Sequence, residues 1–276
     1  MTNDEFGDRM KMLENRESGR RFMPLLPVCA RLDGKNFSSY TADMQRPFDE
    51  RFGWLMVEVT KALVRETCAC VGYTQSDEIC LVWHSDDPKS QIFFDGRIMK
   101  ITSVLASMCS WQFYVGAREL WPHKKDVPTI FDCRAWTVPN KVEAANEVLW
   151  REQDASKNSI SSAARTVCSH KEIQGKTCSE MQELMFARGI NWDDYPDHFK
   201  RGTFVQRRKV TRSFTSEEIA VLPEHHEAKV NSSLVVERHD VFELKMPPFS
   251  KVKNRVGVIF DGEEPVTEKR AQEGPQ

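Results

Sequence analysis

Apolar and polar positions along the chain follow two alternating periods. Residues 26–32, Leu26-Pro27-Val28-Cys29-Ala30-Arg31-Leu32, form an apolar run of strand length that ends on Asp33 and Gly34. From Phe48 onward, Phe52, Leu55, Val59 and Leu63 recur at spacings of three and four, the period of an amphipathic helix, and Pro47 suits its first turn. Residues 71–84 place β-branched and aromatic side chains on both sides of Gln75-Ser76-Asp77-Glu78, which predicts a hairpin with acids at its bend. Over 97–113, Ile98, Ile101, Leu105 and Met108 make one helical stripe, and the same spacing brings Arg97 and Lys100 together on another face. A third helix is predicted from Lys141 to about Arg165, with Arg151, Asp154 and Asn158 on one face. Trp54, Trp111, Trp136 and Trp150 fall on apolar stripes and are assigned to the core. Strand and helix alternate, so the class is α/β. Beyond Pro223 the chain turns polar and irregular, and residues 263–276 read as a disordered tail.

Composition narrows the setting. Of the 276 residues, 40% are hydrophobic and 29% charged, and no apolar run reaches the roughly 18 residues that a membrane span needs. The N-terminal segment mixes acids and bases without the apolar core of a secretory signal, so a cytoplasmic location is expected. The eight cysteines are scattered and read as reduced thiols; Cys68 and Cys70 stand near Cys80, but no second close pair completes a zinc set. None of the seven histidines falls in a metal-binding pattern, and none is assigned a catalytic role. A net charge of −2 argues against nucleic-acid binding over the whole surface, so any RNA contact must be local. The stretch Lys200–Arg212, with six cations and no acid, is the candidate strip. An edge strand whose charges prevent aggregation would look the same.

Candidate chemistry follows from the acids. Nucleotidyl transfer uses two divalent ions about 4 Å apart, and hard cations take oxygen ligands. Asp33 at a strand end, the Gly34 carbonyl beside it and Asp77 on a neighbouring hairpin would supply such oxygens. An ordinary Asp-Gly turn and a solvated bend fit the same spacing. Arg97 and Lys100 read equally as a phosphate clamp or as a solvated helix face.

The motifs themselves say more. Arg31-Leu32-Asp33-Gly34-Lys35-Asn36-Phe37, followed by Gln75-Ser76-Asp77-Glu78, resembles the signature of the tRNA-His guanylyltransferase family and its relatives, the reverse-direction (3′-to-5′) RNA polymerases. Gly7-Asp8-Arg9-Met10-Lys11, Pro47-Phe48-Asp49, Phe131-Asp132-Cys133-Arg134, Trp150-Arg151-Glu152-Gln153-Asp154, Gly189-Ile190-Asn191-Trp192 and Lys200-Arg201-Gly202-Thr203 follow in the family's order, so the resemblance covers roughly residues 5–212.

The resemblance implies an α+β, polymerase-like palm: an antiparallel sheet packed by helices over 1–140, a helical and strand part that contacts RNA over 141–222, and a small C-terminal extension over 223–276. It implies an enzyme that adds nucleotides to the 5′ end of tRNA or tRNA-like RNA, with two Mg²⁺ ions and with ATP and GTP as substrates, working as a homodimer or homotetramer. Asp33, Asp77 and Glu78 would be catalytic, with metal held by Asp33, Gly34 and Asp77. Lys35, Asn36, Phe37, Ser76, Arg97 and Lys100 would bind nucleotide. Arg134, Arg151, Asp154, Lys157, Asn158, Lys200, Arg201, Arg207 and Arg208 would bind RNA. A noncatalytic RNA- or nucleotide-binding homologue, and a palm-type cyclase or phosphohydrolase, are the alternatives. Two positions depart from the pattern. Ser156 stands where eukaryotic members carry histidine, and Ser38 where the bacterial and phage-like branch often does. A serine cannot carry an imidazole's proton traffic, which points away from strict tRNA-His guanylylation and toward 5′-end repair.

Overall fold

The computed structural model describes residues 4–268 except Ser232. Strands β1 (Val28–Gly34), β2 (Val71–Gln75), β3 (Glu78–Trp83), β4 (Phe131–Thr137), β5 (Thr203–Ser213) and β6 (Val235–Leu244) make one antiparallel sheet in the order β4-β1-β3-β2-β5-β6. The helices are α1 (Glu5–Ser18), α2 (Phe37–Tyr40), α3 (Glu50–Thr67), α4 (Ile98–Leu120), α5 (Lys141–Ala164), α6 (His170–Ile173), α7 (Cys178–Phe186), α8 (Asp197–Arg201) and α9 (Ser216–Val221). The first four strands with α3 and α4 form two interleaved β-α-β units, the split βαβ arrangement, and this is the palm expected above.

Both faces of the central strands are covered, which is why β1 is apolar without a break. Val28, Ala30 and Leu32, with Ile79 and Leu81 of β3, face Leu55, Met56, Val59 and Leu63 of α3 and Ile101, Leu105 and Phe113 of α4. Cys29, Tyr73, Cys80 and Val82 face Ala144, Ala145, Val148 and Ala155 of α5. The small residues of α5 let that helix lie close to the sheet, and Gly72 does the same for α3, since a Cβ there would stand 2.7 Å from methyl groups of Thr60 and Val64. A third cluster, including Ile160, Ala163, Met185 and Phe199, joins the end of α5 to α7 and α8.

Several boundaries match the apolar periods closely. The helix expected from Lys141 to about Arg165 is α5, and the hairpin expected over 71–84 is β2 and β3 with Ser76 and Asp77 at its bend. The helix expected from Phe48 starts at Glu50, because the Asp49 side chain accepts from Arg51 N (3.0 Å) and caps it.

Two expectations are corrected. Residues after 223 are not a separate appendage: β6 pairs with β5 along its length, and Phe249, Val252, Val258 and Ile259 are buried against the sheet with α5. Within the expected disordered tail, the Val266 carbonyl accepts from Lys253 N (2.9 Å) and Val266 N donates to the Asn254 side chain (2.9 Å); residues 269–276 lie outside the described part. The tryptophans are also redistributed. Trp54, Trp111 and Trp150 are 57%, 63% and 51% exposed and Trp136 is half-buried, whereas Trp83 and Trp121 are the ones sealed in the core. A helical stripe marks one face but does not say how far neighbouring elements reach across it.

Candidate active site

Hydrogen-bond register sets the centre of the site. Asp33, next to last in β1, lies opposite Glu78 of β3 on one side and Asp132 of β4 on the other. Gly34 N donates to the Asp77 carbonyl (3.1 Å), which ties the end of β1 to the hairpin bend. The bend is a two-residue loop with Ser76 at φ 53°, a left-handed conformation such short turns demand. Asp33 and Asp77, 44 positions apart in sequence, are thereby brought to the wall of one cavity of about 530 Å³, shared with Ser76, Glu78, Asp49, Arg46, Arg151, Asn158 and Arg165. Burial, and then the charge of Asp33, push the Asp77 carboxyl up; hydrogen bonds from its own backbone and from Ser76 Oγ (3.1 Å) oppose this. A carboxylate held half-buried beside another acid has a charge to neutralise, and a bound cation does that.

Gly34 is required for a reason its sequence neighbours do not reveal. A Cβ there would stand 2.5 Å from the Phe37 ring, which is buried among Tyr40, Phe52, Phe113 and Phe131. Phe37 is therefore a packing residue and does not line the cavity. Asn36 takes a left-handed conformation (φ 60°), and the Lys35 and Asn36 side chains are exposed but do not line the cavity either; Lys35 N is held by the Ile130 carbonyl (2.8 Å).

Glu78 and Arg151 are engaged with each other. Arg151 Nε and Nη2 donate to the two Glu78 oxygens (2.6 and 2.9 Å), Nη2 also reaches Asp154 (3.0 Å), and both members of the pair are largely buried. This bidentate geometry clamps α5 to β3 beneath the cavity. Asn158 Nδ2 extends the chain to Asp154 (3.4 Å). Among the described residues no group of three or more His, Cys, Asp or Glu side chains gathers as a metal site. The oxygens on offer are those of Asp33 and Asp77 with a backbone carbonyl, a hard-donor set that fits Mg²⁺, which keeps part of its water shell.

Other expected residues fall elsewhere. Arg97 and Lys100 do not line this cavity. Ser110 of α4 accepts from Phe131 N (3.0 Å) at the carboxylate end of the sheet, and Arg97 precedes Ser110 by more than three helical turns, about 20 Å along the axis. Lys100 Nζ instead sits 4.7 Å from the Phe94 ring centre. The strip Lys200–Arg212 is not a free cationic surface. Lys200 is buried and donates to the Asp193 carbonyl (2.6 Å), and Arg201 pairs with Asp197. Arg208 pairs with Glu264, Lys209 with Glu237, and Arg212 with Asp240 and Glu218. β5 is interior, and β6 together with neighbouring segments supplies the acids its own sequence lacks. Arg134 is exposed on β4, 3.6 Å from Asp132, and Lys157 is exposed on α5 outside the cavity.

Sequence reasoning missed Arg46 and Arg165, two exposed cations on the cavity wall. Arg165 was within reach: the stripe Arg151, Asp154, Asn158 continues at helical spacing through Ser161 or Ser162 to Arg165. Ser162 Oγ donates to the Pro47 carbonyl (3.1 Å), closing the cavity between α5 and the loop that carries Arg46.

A split βαβ sheet with two carboxylates at the adjoining ends of β1 and the β2–β3 hairpin defines a palm-type nucleotidyltransferase. Comparison with known proteins agrees. Residues 7–139 match the family model described as tRNAHis guanylyltransferase. A bacterial tRNA(His) guanylyltransferase (Thg1)-like protein solved with ATP superposes with a TM-score of 0.68 at 37% identity, over 74% of this chain and 87% of that one. A bacterial Thg1-like protein solved with GTP gives a TM-score of 0.68 at 30% identity, over 90% and 95%. The tRNA(His) guanylyltransferase of Schizosaccharomyces pombe is 25% identical over 224 residues, 75% of this chain and 83% of that protein. The chain belongs to the tRNAHis guanylyltransferase family. Among the described residues no helix is long and apolar enough to cross a membrane.

Proposed function

We propose that this protein adds nucleotides in the 3′-to-5′ direction to the 5′ end of tRNA or tRNA-like RNA, with ATP and GTP as substrates and two Mg²⁺ ions held by Asp33, the Gly34 carbonyl and Asp77. The convergence of Asp33 and Asp77 on one cavity wall carries the reading. Bound there, the ions would polarise phosphate oxygens and offset the charge that develops on them. The residues around them position the reactants. Ser76 on the cavity wall, with Lys35 and Asn36 exposed just after Asp33 in the chain, would serve a triphosphate, and Arg46 and Arg165 are the cavity cations for phosphates of nucleotide or RNA. Arg151 and Glu78, paired with each other, hold α5 against the hairpin so that Asp77 and Asn158 face the same space. An incoming nucleotide's 3′-hydroxyl is then aligned with an activated 5′ phosphate, and alignment supplies a large part of the rate.

The substrate favoured is a 5′-truncated tRNA. Ser156 in place of histidine supports end repair, as does the stronger likeness to the bacterial Thg1-like proteins than to the S. pombe guanylyltransferase. We place the protein in the cytoplasm and assign it a homodimeric or homotetrameric state. Support for the assembly is α1, which buries none of its residues and presents Phe6, Met10 and Leu13 on one exposed stripe.

The test is incubation with Mg²⁺, labelled GTP and a tRNA lacking its 5′ nucleotide. Asp33→Asn and Asp77→Asn should each lower label incorporation by about 10³-fold or more, with tRNA binding retained. Incorporation at wild-type rate in either variant would refute the assignment. Equal labelling of intact tRNA-His and truncated tRNA would remove the preference for repair.

A further inference from the structure

A second cavity, of about 640 Å³, opens at the other end of the sheet. It begins where β3 ends at Trp83, about 17 Å along the strand from Glu78, and lies between the C-terminal end of α3 and the π-helical turn Gly257–Asp261. Its lining holds Arg207, Arg208 and Lys209 against a single carboxylate, Asp261. Arg208 and Lys209 have ion-pair partners in Glu264 and Glu237, both at 2.8 Å. Arg207 has no carboxylate partner among the described residues, and its backbone N–H donates to the Cys70 carbonyl (3.2 Å), which fixes its place on the wall. Burial, and then the charges of Arg207 and Lys209, hold the His239 imidazole below its usual range, against Glu237.

Arg207 is thus the lining cation left for an anion, and its two-pronged guanidinium matches a phosphate group. Phe93 and Phe260 add flat apolar surface of the kind on which a base stacks, and the volume is in the range of nucleotide sites. The C-terminal carbonyls of α3 would oppose an anion, but Trp83 Nε1 donates to that of Thr67 (3.0 Å) and covers it.

We propose that this cavity is a second, metal-independent site for a nucleoside phosphate, either a free nucleotide or one unit of an RNA strand, gripped by Arg207, with Phe93 and Phe260 as the surface for its base. It is separated from the palm by the length of the sheet and stands or falls independently of the palm assignment.

Equilibrium dialysis of the full-length Asp33→Asn/Asp77→Asn protein in EDTA isolates it, because the metal-dependent palm site is disabled. Labelled ATP and a labelled RNA pentanucleotide are the probes, with inorganic pyrophosphate as competitor. One of the two probes should bind, and Arg207→Gln should weaken it at least tenfold while leaving the thermal melt unchanged. Phe93→Ala should weaken ATP or RNA but not pyrophosphate. The probe that binds more tightly identifies the source of the nucleotide. Absence of binding by both probes would overturn the proposal, as would undiminished binding by Arg207→Gln. Should Arg207→Gln fail to fold, Arg207→Lys, which keeps the charge but loses the two-pronged donor, gives the same reading with a smaller loss.

Discussion

Gly34 shows how a single residue links packing to chemistry. In the sequence, Asp33-Gly34 has the look of a turn or of a backbone left bare for a ligand, and the motif alone does not choose. In the structure the missing Cβ makes room for the Phe37 ring, which belongs to an aromatic cluster under the end of β1 that carries Asp33. Gly34→Ala should therefore destabilise the protein by about 1–3 kcal/mol, the usual cost of overpacking, and lower activity through displacement of Asp33. Phe37→Leu in the same chain should recover part of the stability, since it removes the atoms in conflict. Denaturant unfolding of the two single variants and the double measures the coupling, and additive losses would separate Gly34 from Phe37. Glu78 carries the complementary lesson. It stands next to Asp77 in sequence and was expected to share its role, yet a two-residue hairpin turns consecutive acids toward different neighbours, and Arg151 takes this one.

Among the elements, α5 does the most to organise the site. One of its faces brings Arg151, Asp154, Asn158 and Arg165 to the carboxylates. Another holds the buried Glu152, whose carboxylate accepts from Phe249 N (2.8 Å) and so fastens the C-terminal segment to the helix. Burial pushes the Glu152 carboxyl up, against the opposing effect of that bond and of Arg201. The sign of the pH effect follows. An acid whose folded pKa is raised contributes its full stability below the unfolded value, about 4.3, and loses it as pH rises through the folded value. Glu152→Gln keeps an acceptor for Phe249 N and never ionises, so its stability relative to wild type should grow from pH 4 toward neutrality. Glu152→Ala, which never ionises either, should follow the same slope but lie about 1–3 kcal/mol below Glu152→Gln at every pH, because it strands a buried N–H. Thermal melts of both variants between pH 4 and 8 check this, and a Glu152→Gln difference that is flat in pH would contradict it.

At the scale of the whole molecule, residues 223–268 are part of the catalytic body. Removing them would strip β6 from β5 and uncover Phe249, Val252, Val258 and Ile259. At about 1.5–3 kcal/mol for each buried apolar side chain, that loss rivals the whole net stability of an ordinary domain. A fragment ending at residue 222 should show no cooperative thermal transition and should aggregate on size-exclusion chromatography. A sharp melt at the full-length temperature would restore the separate extension. If the proposed assembly forms through the α1 stripe, Phe6→Asp with Leu13→Asp should lower the mass seen by light scattering to that of one chain, with little change in the melt of the remaining fold. An unchanged mass would place the subunit interface elsewhere.

The sequence by itself determined the elements whose apolar period is regular, namely α3, α4, α5 and the acidic hairpin. It also determined the family, because ordered motifs survive where overall identity is low. It placed Asp33 and Asp77 as partners through that resemblance and not through spacing. Only the tertiary structure decided which charges are free. The cations of Lys200–Arg212 looked unpaired because their acids, Glu218, Glu237, Asp240 and Glu264, arrive from segments later in the chain. Arg97 and Lys100 looked close to the acids because motif order records succession along the chain, whereas α4 carries its N-terminus to the opposite end of the sheet. Periodicity is a local property and survives in one dimension; charge pairing and the meeting of distant residues are set by how strands register and helices cross, and they exist only once the chain has folded.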